Sequence, residues 1–265
     1  MVSRRSRGLS IGVNLNPDKA CNFDCLYCQV DRTVPPRVRK VDPAVVAGEL
    51  DRMAAIAADG SLFRDPHFAH TPPALRRIND IAFSGDGEPT TCPRFTECVQ
   101  IAADVKRRHG LDAVRIVLIT DACYLTRPEV SAALEIMDAH QGEIWAKLDA
   151  GTEEYFRRIN RPNFPLEHVI ENITAAARVR AVCIQSLWLR LDGQPPPGEE
   201  VDAYCDRLNR IVSAGGVIKD VQTYTLARPP AEDRVTALSG NELERIARRV
   251  RDRTGLSVTT FAAPA

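Results

Sequence analysis

The sequence has no charge bias. Lys and Arg number 35, Asp and Glu number 35, and the formal net charge of the 265 residues is zero. That balance excludes a globally basic surface of the kind that holds nucleic acid or anionic lipid, and leaves only local patches such as "RRSR" at residues 4–7. The chain also lacks any apolar run near the roughly 18 residues of a transmembrane helix. Its first apolar stretch is too short for a signal peptide, is interrupted by Asn14 and Asn16, and has no small-residue cleavage site after it. The expectation is a cytoplasmic protein that makes no use of a membrane. There is no internal repeat and no clear second domain, and the length fits one large α/β domain.

Cysteine is not scarce. Eight are present, and in a cytosolic chain metal ligation or plain thiols are the expected use, rather than a disulfide framework. Three of them lie in "KACNFDCLYCQV", residues 19–30, with the spacing C-x3-C-x2-C and no nearby histidine.

Apolar, β-branched runs alternate with helical patterns. Strands are expected at 9–15, 80–85, 114–120, 143–149, 181–189, 217–225 and 256–261, with helices at 43–59, 93–109, 127–140, 166–180, 198–214 and about 240–253. Strand followed by helix, repeated six times, predicts a parallel sheet, and near-continuous apolar strands predict that both its faces are covered. Polar residues recur where these strands end, at Glu88, Thr120, Asp121, Lys147, Asp149 and Gln222. This favours a partial or closed barrel with its chemistry at the carboxyl ends over an open sheet. Sixty-odd residues join the first two strands, where a connection of roughly 2–6 residues is usual, and a long connection of this kind tends to carry function.

Soft thiolates select zinc, copper(I) or iron–sulfur clusters. Structural zinc normally takes four protein ligands, so zinc would need a distant fourth, such as Cys92, Cys98, Cys123 or a histidine. A 4Fe–4S cluster held by three cysteines leaves one iron open. Both readings follow from the residues: a zinc or electron-transfer protein without catalysis, or an open cluster that binds a cofactor.

The triad directly after the first strand, with Tyr27 before its last cysteine, resembles the signature of the radical S-adenosylmethionine (SAM) superfamily. "FSGDGEPT" (83–90) resembles the glycine-rich element of that superfamily. Its inserted residue, "KLDAGTEEYFRRINRP" (147–162), and "SRR" near the start are similar to the subgroup of uncharacterised Fe–S oxidoreductases related to the wyosine-forming tRNA enzymes. The likeness runs from residue 3 to about 225.

The resemblance implies a partial (β/α)6 TIM-like barrel over residues 1–225, with a cluster-binding loop at 16–40 and a C-terminal helix and strand, 226–265, completing the same domain. It implies that Cys21, Cys25 and Cys28 each hold one iron of a 4Fe–4S cluster, and that SAM chelates the fourth. Gly85, Gly87 and Glu88 would meet the methionyl group, Tyr27 the adenine, mainly by its backbone, and Lys147 and Asp149 the ribose or carboxylate. Thr120 belongs to the same cofactor side, although relatives often carry T-N-G where this chain has Thr120-Asp121-Ala122. The implied chemistry is reductive cleavage of SAM to methionine and a 5′-deoxyadenosyl radical, which takes hydrogen from a substrate. The implied partners are an electron donor such as flavodoxin or ferredoxin and a substrate that could be tRNA, a peptide, a protein or a small molecule. Cysteines ahead of the triad, as in the wyosine-forming enzymes, are absent. A second cluster would have to draw on Cys92, Cys98, Cys123, Cys183 or Cys205, whose spacing matches no standard motif.

Other candidates have plainer readings beside them. Lys147 and Asp149 share a strand face and could form an internal ion pair instead of touching SAM. Arg157, Arg158 and Arg161 suit a solvated helix face, beside a reading in which they bind an anionic substrate or a redox partner. Arg161, before Pro162, is expected to leave helical geometry and aim its side chain at the active-site mouth. Arg4 and Arg5 fit an exposed basic tail, and His67 and His70 fit a surface. Gln222 and Tyr224 end the sixth strand and could face a substrate.

Overall fold

The computed structural model describes residues 1–228, 230 and 232–263; positions 229, 231, 264 and 265 of the expected C-terminal segment lie outside the described residues. The chain groups into two compact units. The first comprises Met1–Ala20, Pro36–Ile119 and Arg127–Glu143, and the second Cys21–Pro35, Thr120–Thr126 and Ile144–Ala265.

In the first unit, strands β1 (Val2–Ser3), β2 (Gly8–Val13), β3 (Ile78–Phe83) and β4 (Arg115–Thr120) neighbour one another in that order. β2, β3 and β4 run parallel. β1, which is not among the expected strands, is antiparallel to β2. The turn between β1 and β2 holds Arg4 and Arg5, ahead of the amino end of β2. Helices α1 (Pro43–Ala58), α2 (Phe95–Arg108) and α3 (Pro128–Asp138) accompany these strands. Pro43 and Pro128 sit in first turns, where the missing N–H costs nothing, and the Asp42 carboxylate accepts from the Ala44 N–H to cap α1. The α2 stripe of Val99, Ala102 and Ala103 is buried, and Phe95 meets Phe83 of β3 edge-on at 5.7 Å.

In the second unit, β5 (Gly142–Lys147, from Ile144 on), β6 (Val182–Leu187), β8 (Ile218–Tyr224) and β10 (Val258–Phe261) pair in parallel, in that order. β7 (Leu189–Leu191) and β9 (Val235–Ala237) form a separate antiparallel ribbon. The helices are α4 (Glu153–Asn160), α5 (Leu166–Val179), α6 (Gly198–Ser213) and α7 (Gly240–Thr254). α7 opens with a Ser239–Glu242 capping box and closes on Gly255 at φ +70°. All six residues of β6 are buried, as expected for a strand covered on both faces. The run expected at 181–189 as one strand is β6 followed by the start of β7, and α4 is the helix expected to end before Pro162. β1 and β9 are additions to the expected elements, and two or three residues carry no periodicity to read. Among the described residues, no helix is long and apolar enough to cross a membrane.

Candidate functional site

The cysteine loop belongs to the second unit and is fixed by backbone pairing to a distant segment. Asp24 N–H donates to Asn160 O at 3.0 Å, Leu26 N–H to Ile159 O at 2.9 Å, and Asn163 N–H to Asn22 O at 3.0 Å. Phe23 and Pro162 form an antiparallel bridge, and Phe23 packs edge-on against Phe156 of α4 at 5.3 Å. Residues 22–26 are thus laid along 159–163, the I-N-R-P end of the longest sequence motif. Within the loop, Cys28 N–H donates to Cys25 O at 2.9 Å, so the last two cysteines share one turn.

None of the eight cysteines forms a disulfide. Cys21, Cys25 and Cys28 are partly exposed, whereas Cys92, Cys98, Cys123, Cys183 and Cys205 are buried. The thiol of Cys25 is pushed up to about 12, first by burial and then by the nearby Asp149 carboxylate. Two N–H donors reach the triad sulfurs: Asn160 Nδ2 to Cys25 Sγ and Arg32 Nη1 to Cys28 Sγ, both at 3.4 Å. Among the described residues, no three His, Cys, Asp or Glu side chains are gathered closely enough to hold a metal ion as they stand. The donor set nevertheless fits an iron–sulfur cluster: three soft ligands on one short loop, with N–H groups directed at the sulfurs.

Beneath the loop lies a buried polar network. The Asp149 carboxylate, fully buried, accepts from Lys147 Nζ at 2.9 Å, Asn160 Nδ2 at 2.9 Å, the Leu187 N–H at 2.7 Å and the Tyr27 hydroxyl. Lys147 Nζ also donates to the Tyr224 hydroxyl at 2.5 Å and lies 5.2 Å and 4.8 Å from the Tyr27 and Tyr224 ring centroids. Burial works against the Lys147 charge, but Asp149 and Tyr224 outweigh it and its pKa is raised. Burial, then Asp149, holds Tyr27 protonated well above its ordinary range. The internal ion pair that Lys147 and Asp149 could form on their shared strand face is therefore present. In register with Lys147 stand Gln185 of β6 and Gln222 of β8, joined by a 2.8 Å bond from Gln185 Nε2 to Gln222 Oε1. Gln185 Oε1 is buried without a partner.

The glycine-rich element lies in the first unit, after β3. A Cβ on Gly87 would fall 1.9 Å from Ala20 O, and one on Gly85 would fall 2.4 Å from Asn14 Oδ1. At Gly87, where the neighbour is backbone, an approach this close admits only glycine, whereas at Gly85 the neighbour is a side chain. The Glu88 N–H donates to Ala20 O at 2.9 Å, tying the turn to the residue before Cys21. Glu88 itself is buried, and its Oε1 accepts from the Thr90 N–H at 3.1 Å and the Thr90 hydroxyl at 2.6 Å. It therefore caps the short 3-10 helix Pro89–Thr91 in addition to any cofactor role.

Thr120 ends β4, and its hydroxyl accepts from the Ala122 N–H at 3.0 Å. Ala122 has φ +67°, the left-handed geometry that the glycine of T-N-G would adopt without strain. Asp121 accepts from Asn22 Nδ2 at 2.9 Å, another tie on the cysteine loop. Arg157 pairs with Glu153 at 2.7 Å and Arg158 with Asp192 at 3.7 Å, as on a solvated face.

Arg161 corrects the expectation. It does end α4, but in the left-handed region at φ +43° instead of an extended one. Its guanidinium pairs with Glu232 at 2.6 Å and with Asp24 of the cysteine loop at 3.6 Å, so it is committed to two carboxylates. Asn160, Asn22 and Arg32 join the site without being foreseen by sequence reasoning. Asn160 lies inside a recognisable motif, while the other two carry no signal beyond closeness to the triad.

No family model matches the chain. Among curated proteins it is 25% identical over 176 residues to the UPF0026 protein MJ1312 of Methanocaldococcus jannaschii, covering 66% of this chain and 47% of that one. It is 23% identical over 245 residues to a UPF0026 protein of Helicobacter pylori strain J99, covering 92% and 70%. The chain thus spans about half the length of the first of these relatives. Among solved structures, TYW1 with a lysine-pyruvate adduct bound matches with TM-score 0.52 at 19% identity, over 91% of this chain and 73% of that one. Native anSMEcpe with bound AdoMet matches with TM-score 0.53 at 12% identity, over 94% and 63%. These likenesses show that the chain shares the partial α/β barrel fold of those two structures.

Proposed function

We propose that this protein is a radical SAM enzyme whose 4Fe–4S cluster is held by Cys21, Cys25 and Cys28. The observation that carries the reading is the selective presentation of the triad: these three cysteines are partly exposed on one pinned loop, and the other five are buried. A bound cluster would supply one-electron reduction of SAM, which would break its S–C5′ bond, release methionine and leave a 5′-deoxyadenosyl group able to take hydrogen from the substrate. An external one-electron donor such as flavodoxin or ferredoxin completes the requirement.

The chain's own residues bind and orient. The Gly85–Glu88 turn offers a close backbone surface for the methionyl end of SAM, and the Glu88 carboxylate would accept from its ammonium. Tyr27, Lys147 and Asp149 hold the floor of the cysteine loop, and Lys147 presents a fixed positive charge to a carboxylate or ribose. The Thr120 hydroxyl shapes the turn after β4. The substrate is an organic molecule with an abstractable hydrogen; a tRNA base, a peptide, a protein and a small molecule all satisfy that chemistry.

Anaerobic reconstitution with iron and sulfide, followed by a reductant and SAM, tests the proposal. It expects about four irons and four sulfides per chain, with 5′-deoxyadenosine as a product. Stoichiometric zinc without sulfide would instead establish the non-catalytic metal-binding alternative.

A further inference from the structure

We propose that Asn160 and Arg32 set the reduction potential of the centre held by the triad, as N–H donors to its sulfurs. The inference rests on the cluster reading above. Asn160 Nδ2 lies 3.4 Å from Cys25 Sγ and Arg32 Nη1 lies 3.4 Å from Cys28 Sγ. The two donors differ in kind. Asn160 is a neutral amide with no solvent exposure, whereas Arg32 is a cation whose side chain is 31% exposed.

Each donor is held in place by a second contact. Asn160 Nδ2 also reaches Asp149 Oδ2 at 2.9 Å, and its main-chain carbonyl accepts from Asp24 on the cysteine loop. Turning the amide away would break its bond to the buried Asp149 carboxylate. Arg32 is steadied by Asp24 at 3.5 Å, and its charge also acts on Cys21. The Asp149 carboxylate opposes the donors at Cys25, and Lys147 pairs with that carboxylate at 2.9 Å.

Taking up one electron makes an iron–sulfur centre more negative by one charge, part of which rests on the ligating sulfurs. Hydrogen bonds to those sulfurs and a nearby cation stabilise the reduced form more than the oxidised one, and so raise the potential. The electron comes from the external one-electron donor, and no covalent bond to the protein forms or breaks. Removing either donor makes the centre harder to reduce.

The test is a potentiometric titration of the reconstituted full-length protein, followed by the electron paramagnetic resonance of the reduced cluster, with iron and sulfide measured on every sample. Asn160→Leu and Arg32→Gln are each expected to keep wild-type iron content. Each should lower the reduced-to-oxidised ratio at fixed ambient potential by up to about tenfold, a downward midpoint shift of about 59 mV for a one-electron couple. Arg32→Lys, which restores the cation, should recover most of the shift, which a purely structural role would not do. Wild-type midpoints in both removal variants at full iron content would overturn the proposal. Loss of iron from Asn160→Leu would overturn its share and make it a loop anchor, while Arg32→Gln would still decide the share of Arg32. A wild-type protein that takes up no iron and sulfide would overturn the cluster reading, and that result is separate from an unshifted midpoint.

Discussion

The glycine turn of the first unit and the cysteine loop of the second each follow the carrier strand of a motif, but different forces hold them. The turn is fixed by steric exclusion. Gly87 faces Ala20 O with no room for a methyl group, Gly85 faces Asn14, and Glu88 caps its own helical turn. The cysteine loop contains little that would hold it by itself. It is fixed by pairing to residues 159–163 and by the buried Asp149 network beneath it. A motif of the first kind is its own scaffold, while a motif of the second kind displays its thiols on a scaffold made far away in the sequence.

The comparison breaks most completely at the ligands. Cys21→Ala, Cys25→Ala or Cys28→Ala should each abolish cluster assembly, read as loss of iron, sulfide and visible absorbance. Cys205→Ala, at a fully buried position, should keep the cluster. Next in size is the scaffold. Asp149→Ala leaves Lys147 buried without its carboxylate, and breaking a buried pair in this way costs about 3–5 kcal/mol. Chemical denaturation should show that loss in the protein before iron is added, which separates holding the loop from holding the metal.

Gly87→Ala sharpens the other side. Its added methyl would meet Ala20 O at 1.9 Å, and overpacking of this kind costs about 1–3 kcal/mol. A thermal shift matching that cost is expected, and an unchanged melting temperature would mean that sterics do not fix the turn. Glu88→Gln keeps the size of the cap but removes the charge. A charge-assisted hydrogen bond contributes about 1.5–3 kcal/mol, so SAM should bind at least about tenfold more weakly by calorimetry, at unchanged iron content. The smallest effect is expected at Ala122, which adopts φ +67°. A left-handed L-residue carries about 1–2 kcal/mol of strain, and the flexibility of glycine offsets about 0.5–1 kcal/mol. Ala122→Gly should therefore leave stability unchanged or raise it by up to about 1.5 kcal/mol in the same denaturation assay.

Much of the fold is legible in the order of the amino acids. α1, expected over 43–59, runs Pro43–Ala58, and α6, expected over 198–214, runs Gly198–Ser213. Apolar periodicity, first-turn prolines and strand–helix alternation are local signals, and they survive folding because the core demands them. β1 and β9 are not legible, because two or three residues show no period. Arg161 escapes for a related reason: proline bias says where a helix stops, but not which carboxylates await the side chain.

The sequence by itself determined the spacing of the three cysteines, the order of the elements and the fold class. Thiol spacing and hydrophobic alternation depend on residue type and position, and these are written along the chain. Only the tertiary structure decided what surrounds those cysteines. It brings Asn160 to Cys25, 135 positions away, and Tyr224 to Lys147, 77 positions away. Such pairings have no spacing to read, because they arise where strands and loops remote in sequence pack together and each buried polar group must find its partner.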